Sequence, residues 1–121
     1  MRCKRECSSL SRLTSHLGRV RGTTGLPVLV VEGGWTSASV STVVSTPEKQ
    51  AAYIRRQAEL LDRAQALFVF QLTFTDLDLA SFPPPFPANL SFLAYLGLVD
   101  DDLNPEPALG VWDSLFALTR R

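Results

Sequence analysis

The chain has 121 residues, with twelve basic and twelve acidic side chains and therefore no formal net charge. This length allows one small domain, and an apolar content of 45% with 20% charged residues is ordinary for a globular protein. The balanced charge gives no support for a nucleic-acid or membrane-surface partner.

The charge is unevenly distributed along the sequence. Residues 1–25 carry six basic side chains and one acidic, whereas residues 26–121 carry six basic and eleven acidic. We therefore treat residues 1–25 as a separate basic segment, partly helical because Leu10, Leu13 and Leu17 have helical spacing. The segment lacks the apolar centre of a signal peptide, and no run of the sequence has the length and apolarity of a membrane span. The sequence does not indicate the cellular compartment of the protein.

Cysteine and histidine are too few for a zinc site or a Ser-His-Asp triad. Cys3 and Cys7 are the only cysteines, spaced as C-x₃-C instead of C-x₂-C, and His16 is the only histidine. We expect no metal, no cofactor and no disulfide framework.

The clearest predicted strand ends on a carboxylate. Five of the six residues 26–31 are apolar without alternation, which is typical of a parallel strand covered on both faces. Glu32 follows, and then two glycines and Trp35. Because α/β proteins place chemistry at the carboxyl ends of parallel strands, Glu32 is a candidate catalytic residue. The alternative is a surface glutamate that opens a turn.

A helix is predicted to follow. Ser45 or Thr46 can cap a helix that has proline in its first turn, and Ser45 with Glu48 fits a capping box. The apolar stripe of this helix is Ala51, Ile54, Ala58 and Leu61.

Residues 66–74 are mostly apolar and aromatic, which favours a second strand over a continued helix. Gln71 interrupts this strand. It either has a structural partner or faces a site, because a buried polar group needs a partner.

A long connection and a last helix complete the chain. Residues 82–87, within the connection 77–95, read Phe-Pro-Pro-Pro-Phe-Pro, which suits a site wall or a rigid polyproline spacer. The aspartates at 100–102 lack the ligand pattern of a calcium loop and indicate a turn. Pro105 and Pro107 are expected to start the last helix, in which Trp112 is expected in the core.

Residues 26–117 resemble the C-terminal quarter of (β/α)₈-barrel glycoside hydrolases with catalytic glutamates at the fourth and seventh strands. Arabinogalactan endo-galactosidase-like and cellulase-like members are the most similar. Residues 26–35 look like the seventh strand, a proline-led apolar run that ends in the nucleophile, and residues 68–76 look like the eighth. Residues 96–112 look like the closing Gly-Leu, Pro-Ala and Trp segment.

The resemblance implies an α/β fold, the final two β/α units of a TIM barrel over residues 26–121, with a preceding helix. Glu32 would be the nucleophile of a retaining glycosidase that acts on a poly- or oligosaccharide. Trp35, Gln71 and Asp76 would contact the carbohydrate. Trp35 would otherwise support the loop, Gln71 stands where such enzymes often carry a stacking tryptophan, and Asp76 suits loop structure equally well.

The sequence departs from the family in what it lacks. A retaining enzyme needs a second carboxylate about 5 Å from the nucleophile, and in this family the fourth strand supplies it. That strand is not in the sequence, and neither Asp76 nor Asp78 is favoured as a substitute. The resemblance therefore implies a truncated glycoside hydrolase that is inactive alone. Alternatives are a non-catalytic carbohydrate-binding remnant and an α/β module that self-associates through open strand edges.

Overall fold

A computed structural model describes residues 18–19 and 21–118 of the protein. Within them, strand β1 (Val30–Gly33), helix α1 (Pro47–Arg63), strand β2 (Val69–Gln71) and helix α2 (Pro107–Phe116) follow the predicted order. Two 3₁₀ segments, Leu79–Ser81 and Ala88–Tyr95, lie in the connection between β2 and α2. Residues 18, 19 and 21–24 are helical, whereas Cys3, Cys7, His16 and the predicted leucine stripe lie outside the described residues.

The two strands are parallel and α1 connects them, so the described chain is a small mixed α/β unit. Val30 pairs with Val69, and Gly33 pairs with Gln71. Three steps along β1 thus correspond to two steps along β2, which is the signature of a β-bulge in β1.

The prediction that β1 is covered on both faces is wrong for the described residues. On one face, Val28 and Leu61 are buried, with Val30 and Val69 packed against them. On the other face, Leu29 is 43% and Val31 is 64% exposed. The reason is that α1 covers one side of the sheet and no described element covers the other.

The second strand is also shorter than the predicted span 66–74. Its regular pairing covers only Val69–Gln71, because β1 offers just four residues. Thr73 then takes a left-handed backbone conformation with φ of 65°, which an extended strand does not allow.

Thr46, rather than Ser45, caps α1. The side chain of Thr46 accepts a hydrogen bond from the Lys49 N–H at 3.3 Å, and Pro47 is the first helical residue. The predicted capping box is therefore wrong, because Ser45 is buried and its hydroxyl donates to the Thr36 carbonyl at 2.6 Å.

The main core lies between α1 and α2. Its buried members are Ala51, Ile54, Leu98, Ala108 and Val111, and Trp112 packs against them as expected. The chain between β2 and α2 enters this core through short bridges, in which Val99 pairs with both Thr75 and Pro105. Among the described residues, no helix has the length and apolarity needed to cross a membrane.

Candidate functional site

A cavity of about 440 Å³ opens where β1 and β2 end, with Glu32 and Trp35 in its wall. Both side chains were candidates from the sequence, and the fold brings them to one site. Glu32 is exposed, whereas Trp35 is half-buried. The remaining wall comes from β1, the loop after it, α1, the residue after β2 and the region of the second 3₁₀ segment. It consists of Val30, Gly33, Gly34, Thr36, Val43, Tyr53, Gln57, Leu72, Phe92 and Leu96.

Trp35 is held in place by two contacts. Its ring stacks on Tyr53 with a centroid distance of 4.8 Å and an interplanar angle of 21°. Its indole N–H donates to the hydroxyl of Ser45 at 3.1 Å. The ring therefore both supports the loop after β1 and forms part of the cavity wall, and its orientation is fixed before any ligand arrives.

Gln57 is a cavity residue that the sequence interpretation missed. Its residue exposure is only 3%, yet the structure shows no hydrogen bond for its amide within the described residues. A side chain on Gly33 would lie 2.8 Å from the Gln57 amide nitrogen, so glycine makes room for this amide beside Glu32. The available signal was its position three residues after Ile54 and four before Leu61, on the apolar stripe of α1.

Gln71 lies apart from the cavity wall and anchors the backbone. Its amide N–H groups donate to the carbonyls of Leu96 at 2.9 Å and Leu72 at 3.3 Å. Its amide oxygen is buried without a partner in the described part of the chain. Of the two alternatives open from the sequence, the structure gives Gln71 structural partners.

Asp76 also lies outside the cavity wall. One of its carboxylate oxygens accepts from the Gly97 N–H at 2.7 Å, which ties the end of β2 to the segment before α2. Asp78 is exposed and caps the first 3₁₀ segment by accepting from the Ala80 N–H at 2.9 Å. Neither Asp76 nor Asp78 lies in the cavity wall that contains Glu32.

A second half-buried acidic residue, Glu106, lies near Asp76. Burial raises the pKa of Asp76, and the charges of Asp101 and Asp100 raise it further, against the Gly97 hydrogen bond. Burial also raises the pKa of Glu106, followed by the nearby Asp76 charge, against a hydrogen bond from Ser37. Asp100 and Glu48 add to the negative potential at Glu106.

This pair predicts a pH dependence of stability. The ordinary pKa values are 3.8 for Asp76 and 4.5 for Glu106, and both are raised in the fold. At these two groups the folded state therefore binds more protons than the unfolded state just above these values, so their contribution to stability falls as pH rises through that window. Chemical denaturation between pH 4.5 and 7 measures the slope. We expect Glu106→Gln to reduce it.

The matched control for this prediction is Glu59→Gln. Glu59 is half-exposed on α1 and pairs with Arg56 at 2.7 Å, and it is not among the groups that shift the pKa of Asp76 or Glu106. Its replacement should leave the fall in stability between pH 4.5 and 7 in place. Equal slopes for wild type and Glu106→Gln would contradict the assignment of the pH dependence to the Asp76 and Glu106 pair.

The aspartates at 100–102 form a turn, as expected. Asp100 accepts hydrogen bonds from the backbone N–H groups of Asp102 and Asn104 and from the Asn104 amide. Among the described residues no group of three or more His, Cys, Asp or Glu is placed to hold a metal ion. Comparisons with family models, curated proteins and solved structures give no match for this chain.

Proposed function

We propose that this chain carries the nucleophile half of a retaining glycoside hydrolase site, with Glu32 as nucleophile and the cavity as the binding site for one sugar ring. The observation that carries the proposal is the convergence of Glu32, the fixed Trp35 ring and the Gln57 amide on one cavity at the carboxyl ends of parallel strands. The proposed parent fold is the (β/α)₈ barrel that the sequence resembles.

The chemistry of the wall suits a neutral carbohydrate. Aromatic and aliphatic side chains such as Trp35 and Phe92 offer apolar surface to the C–H face of a pyranose. The Gln57 amide offers both a donor and an acceptor to a hydroxyl group. A volume of about 440 Å³ lies within the range of small-molecule sites.

The same wall explains why we expect no turnover of ordinary glycosides by this chain. Glu32 is the only carboxyl group of the described residues in the cavity wall. Retaining hydrolysis needs a second one about 5 Å away to protonate the leaving oxygen and later to activate water. Without it, an alkoxide leaving group has no proton source at the site.

An activated substrate tests the role of Glu32 without that second group. In a 2,4-dinitrophenyl glycoside, the Glu32 carboxylate oxygen would attack the anomeric carbon while the C–O bond to dinitrophenolate breaks. The phenolate leaves with the bonding electrons and needs no proton. Because no base is at hand to activate water, the glycosyl ester should persist. We expect intact-mass spectrometry to show one added sugar on the wild type and none on Glu32→Gln.

A non-catalytic carbohydrate-binding site is the second candidate, favoured by the unpartnered Gln57 amide in the cavity wall. It predicts that cello- or galacto-oligosaccharides bind without any covalent adduct. Isothermal titration calorimetry on wild type, Glu32→Gln and Gln57→Leu separates the two candidates. Binding that survives Glu32→Gln but is lost in Gln57→Leu, together with no adduct, supports this second candidate. The absence of both binding and adduct would contradict both.

A further inference from the structure

Two buried glutamines lie two turns apart on the inner stripe of α1, and only one of them has a hydrogen-bond partner. Gln50 is fully buried, and its amide donates to the Gly97 carbonyl at 2.8 Å. Gln57 is almost completely buried, yet its amide has no hydrogen bond to any described residue. Because burial of an unpaired amide costs stability, packing alone does not explain a glutamine at position 57.

The Gln57 amide has access to the cavity. The residue lines the cavity wall, and neither of its amide atoms is among the fully enclosed side-chain atoms that lack a partner in the described part of the chain. The small surface that Gln57 retains therefore includes its polar end. Thr36 lines the same cavity, and its hydroxyl oxygen is enclosed without a partner among the described residues.

Gly33 leaves room for this amide. A Cβ at Gly33 would lie 2.8 Å from the Gln57 amide nitrogen and 3.1 Å from a methyl group of Val69. The backbone of Gly33 is fixed, because it pairs with Gln71 and its carbonyl accepts from the Leu72 N–H at 2.6 Å. A larger residue at position 33 would therefore displace the end of the Gln57 side chain, which is flexible, before it displaced the strand.

We infer that Gln57 is the specificity-determining residue of the cavity: its amide recognises one free hydroxyl group of the bound sugar, and Gly33 provides the space that the amide occupies. This inference rests on the proposed carbohydrate site. An amide can donate to a hydroxyl group and accept from it. A sugar that lacks this hydroxyl would leave the amide both unpaired and cut off from water, and such a site discriminates strongly against the deficient ligand.

The first experiment uses sugars that differ by a single hydroxyl group. The probes are methyl β-galactoside, methyl β-glucoside and their monodeoxy analogues, titrated into the ¹⁵N-labelled full chain and followed by NMR. We expect the parent glycoside to shift the side-chain amide signals of Gln57. We also expect one monodeoxy analogue to bind about tenfold more weakly than its parent, as the loss of one hydrogen bond implies.

Gln57→Leu identifies the group that recognises this hydroxyl. In this variant the parent glycoside and the deficient analogue should bind with equal affinity, because the amide that distinguishes them is gone. The comparison is a double-mutant cycle between one side chain and one hydroxyl group, so it isolates their contact from general effects on the site.

Gly33→Ala tests the same contact without removing the amide. Its Cβ should displace the Gln57 amide and reduce the ratio of the two affinities below that of the wild type. Gly110→Ala is the matched control, because nothing lies within 4 Å of a Cβ at Gly110 and this residue is outside the cavity wall. It should leave the ratio unchanged.

Thermal melting separates recognition from a structural role. Gln57→Leu replaces an unpaired amide with an apolar side chain, so the melting temperature without sugar should stay the same or rise. Gln50→Leu is the matched glutamine on the same stripe, and it should lower the melting temperature because the Gly97 carbonyl loses its donor. A fall in Gln57→Leu as large as that in Gln50→Leu would contradict the inference.

The binding results and the covalent adduct test different claims. Discrimination between parent and analogue that persists in Gln57→Leu would overturn the role of Gln57. If the dinitrophenyl glycoside still labels Glu32 in that case, the proposed function stands and this inference alone fails. A wild type that binds none of the probes would also overturn this inference, and the adduct on Glu32 would then decide separately whether the proposed function fails with it.

Discussion

Gly97→Ala is expected to destabilise the fold by ~3 kcal/mol or more. A Cβ at Gly97 would collide with the backbone nitrogen of Asp76, the backbone carbonyl of Val99 and the carbonyl carbon of Thr75. These atoms belong to paired backbone and cannot swing aside as a flexible side chain can. Urea unfolding followed by circular dichroism measures the loss.

Gly110→Ala is the matched control for this prediction. Gly110 is exposed within α2, and nothing lies within 4 Å of a Cβ built there. Alanine loses less conformational freedom in a helix than glycine, so this variant should gain about 0.5–1 kcal/mol. A Gly97→Ala protein as stable as Gly110→Ala would show that the backbone at residues 75–76 can move, against the packing described above.

The Gly97 region also explains what the polar residues of the predicted site do. The Gln71 amide binds the Leu96 carbonyl, the Asp76 carboxylate binds the Gly97 N–H, and the buried Gln50 amide donates to the Gly97 carbonyl at 2.8 Å. These three side chains fasten one short segment to β2 and α1. Leu96 lies in the cavity wall, so the same bonds that stabilise the fold also fix one side of the candidate site.

The helices and the order of the elements could be predicted because their signals are local. The boundary of α1 follows from a capping threonine, a proline and an apolar stripe within seventeen residues. The parallel strand pair follows from two apolar segments joined by a helix. The placement of Glu32 and Trp35 in one cavity also follows, because Glu32 lies near the carboxyl end of β1 and Trp35 comes two residues after that strand.

The length and coverage of the strands could not be predicted, because they depend on what lies beside them. The composition of residues 26–31 indicates burial on both faces, yet coverage requires further layers that two strands and two helices do not supply. The exposed Phe70 and Val31 are the result. Local composition indicates that a strand can be buried on both faces, and the neighbouring elements decide how much of it is buried.

The roles of Gln71 and Asp76 were equally beyond local signals. Their partners lie 25 and 21 residues away in sequence, at Leu96 and Gly97. The sequence around Gln71 or Asp76 gives no signal that identifies a hydrogen-bond partner so far away in the chain. Gln57 differs, because its helical spacing from Ile54 already places a polar amide on the buried stripe of α1, and the fold puts this residue in the cavity wall.

Ile54→Ala is the second substitution with a large expected effect. Ile54 is 1% exposed and joins α1 to α2 by packing among Ala51, Leu98 and Ala108. Truncation of a buried isoleucine to alanine typically costs about 2–5 kcal/mol, as lost transfer free energy and a residual cavity add. In a domain this small, the melting temperature should fall by ~10 °C or more, or the transition should vanish.

Two variants make this second prediction quantitative. Ile54→Val removes one methylene from the same core and should cost only about 0.5–1.5 kcal/mol. Val31→Ala removes apolar volume from the exposed face of β1 and should change the stability of the monomer little. If Ile54→Ala and Val31→Ala had similar effects at concentrations where the protein is monomeric, the contact between α1 and α2 would not be the main core. Loss of cooperative unfolding in Ile54→Ala alone would place the stability of the fold, and with it the wall of the cavity, in the contact between these two helices.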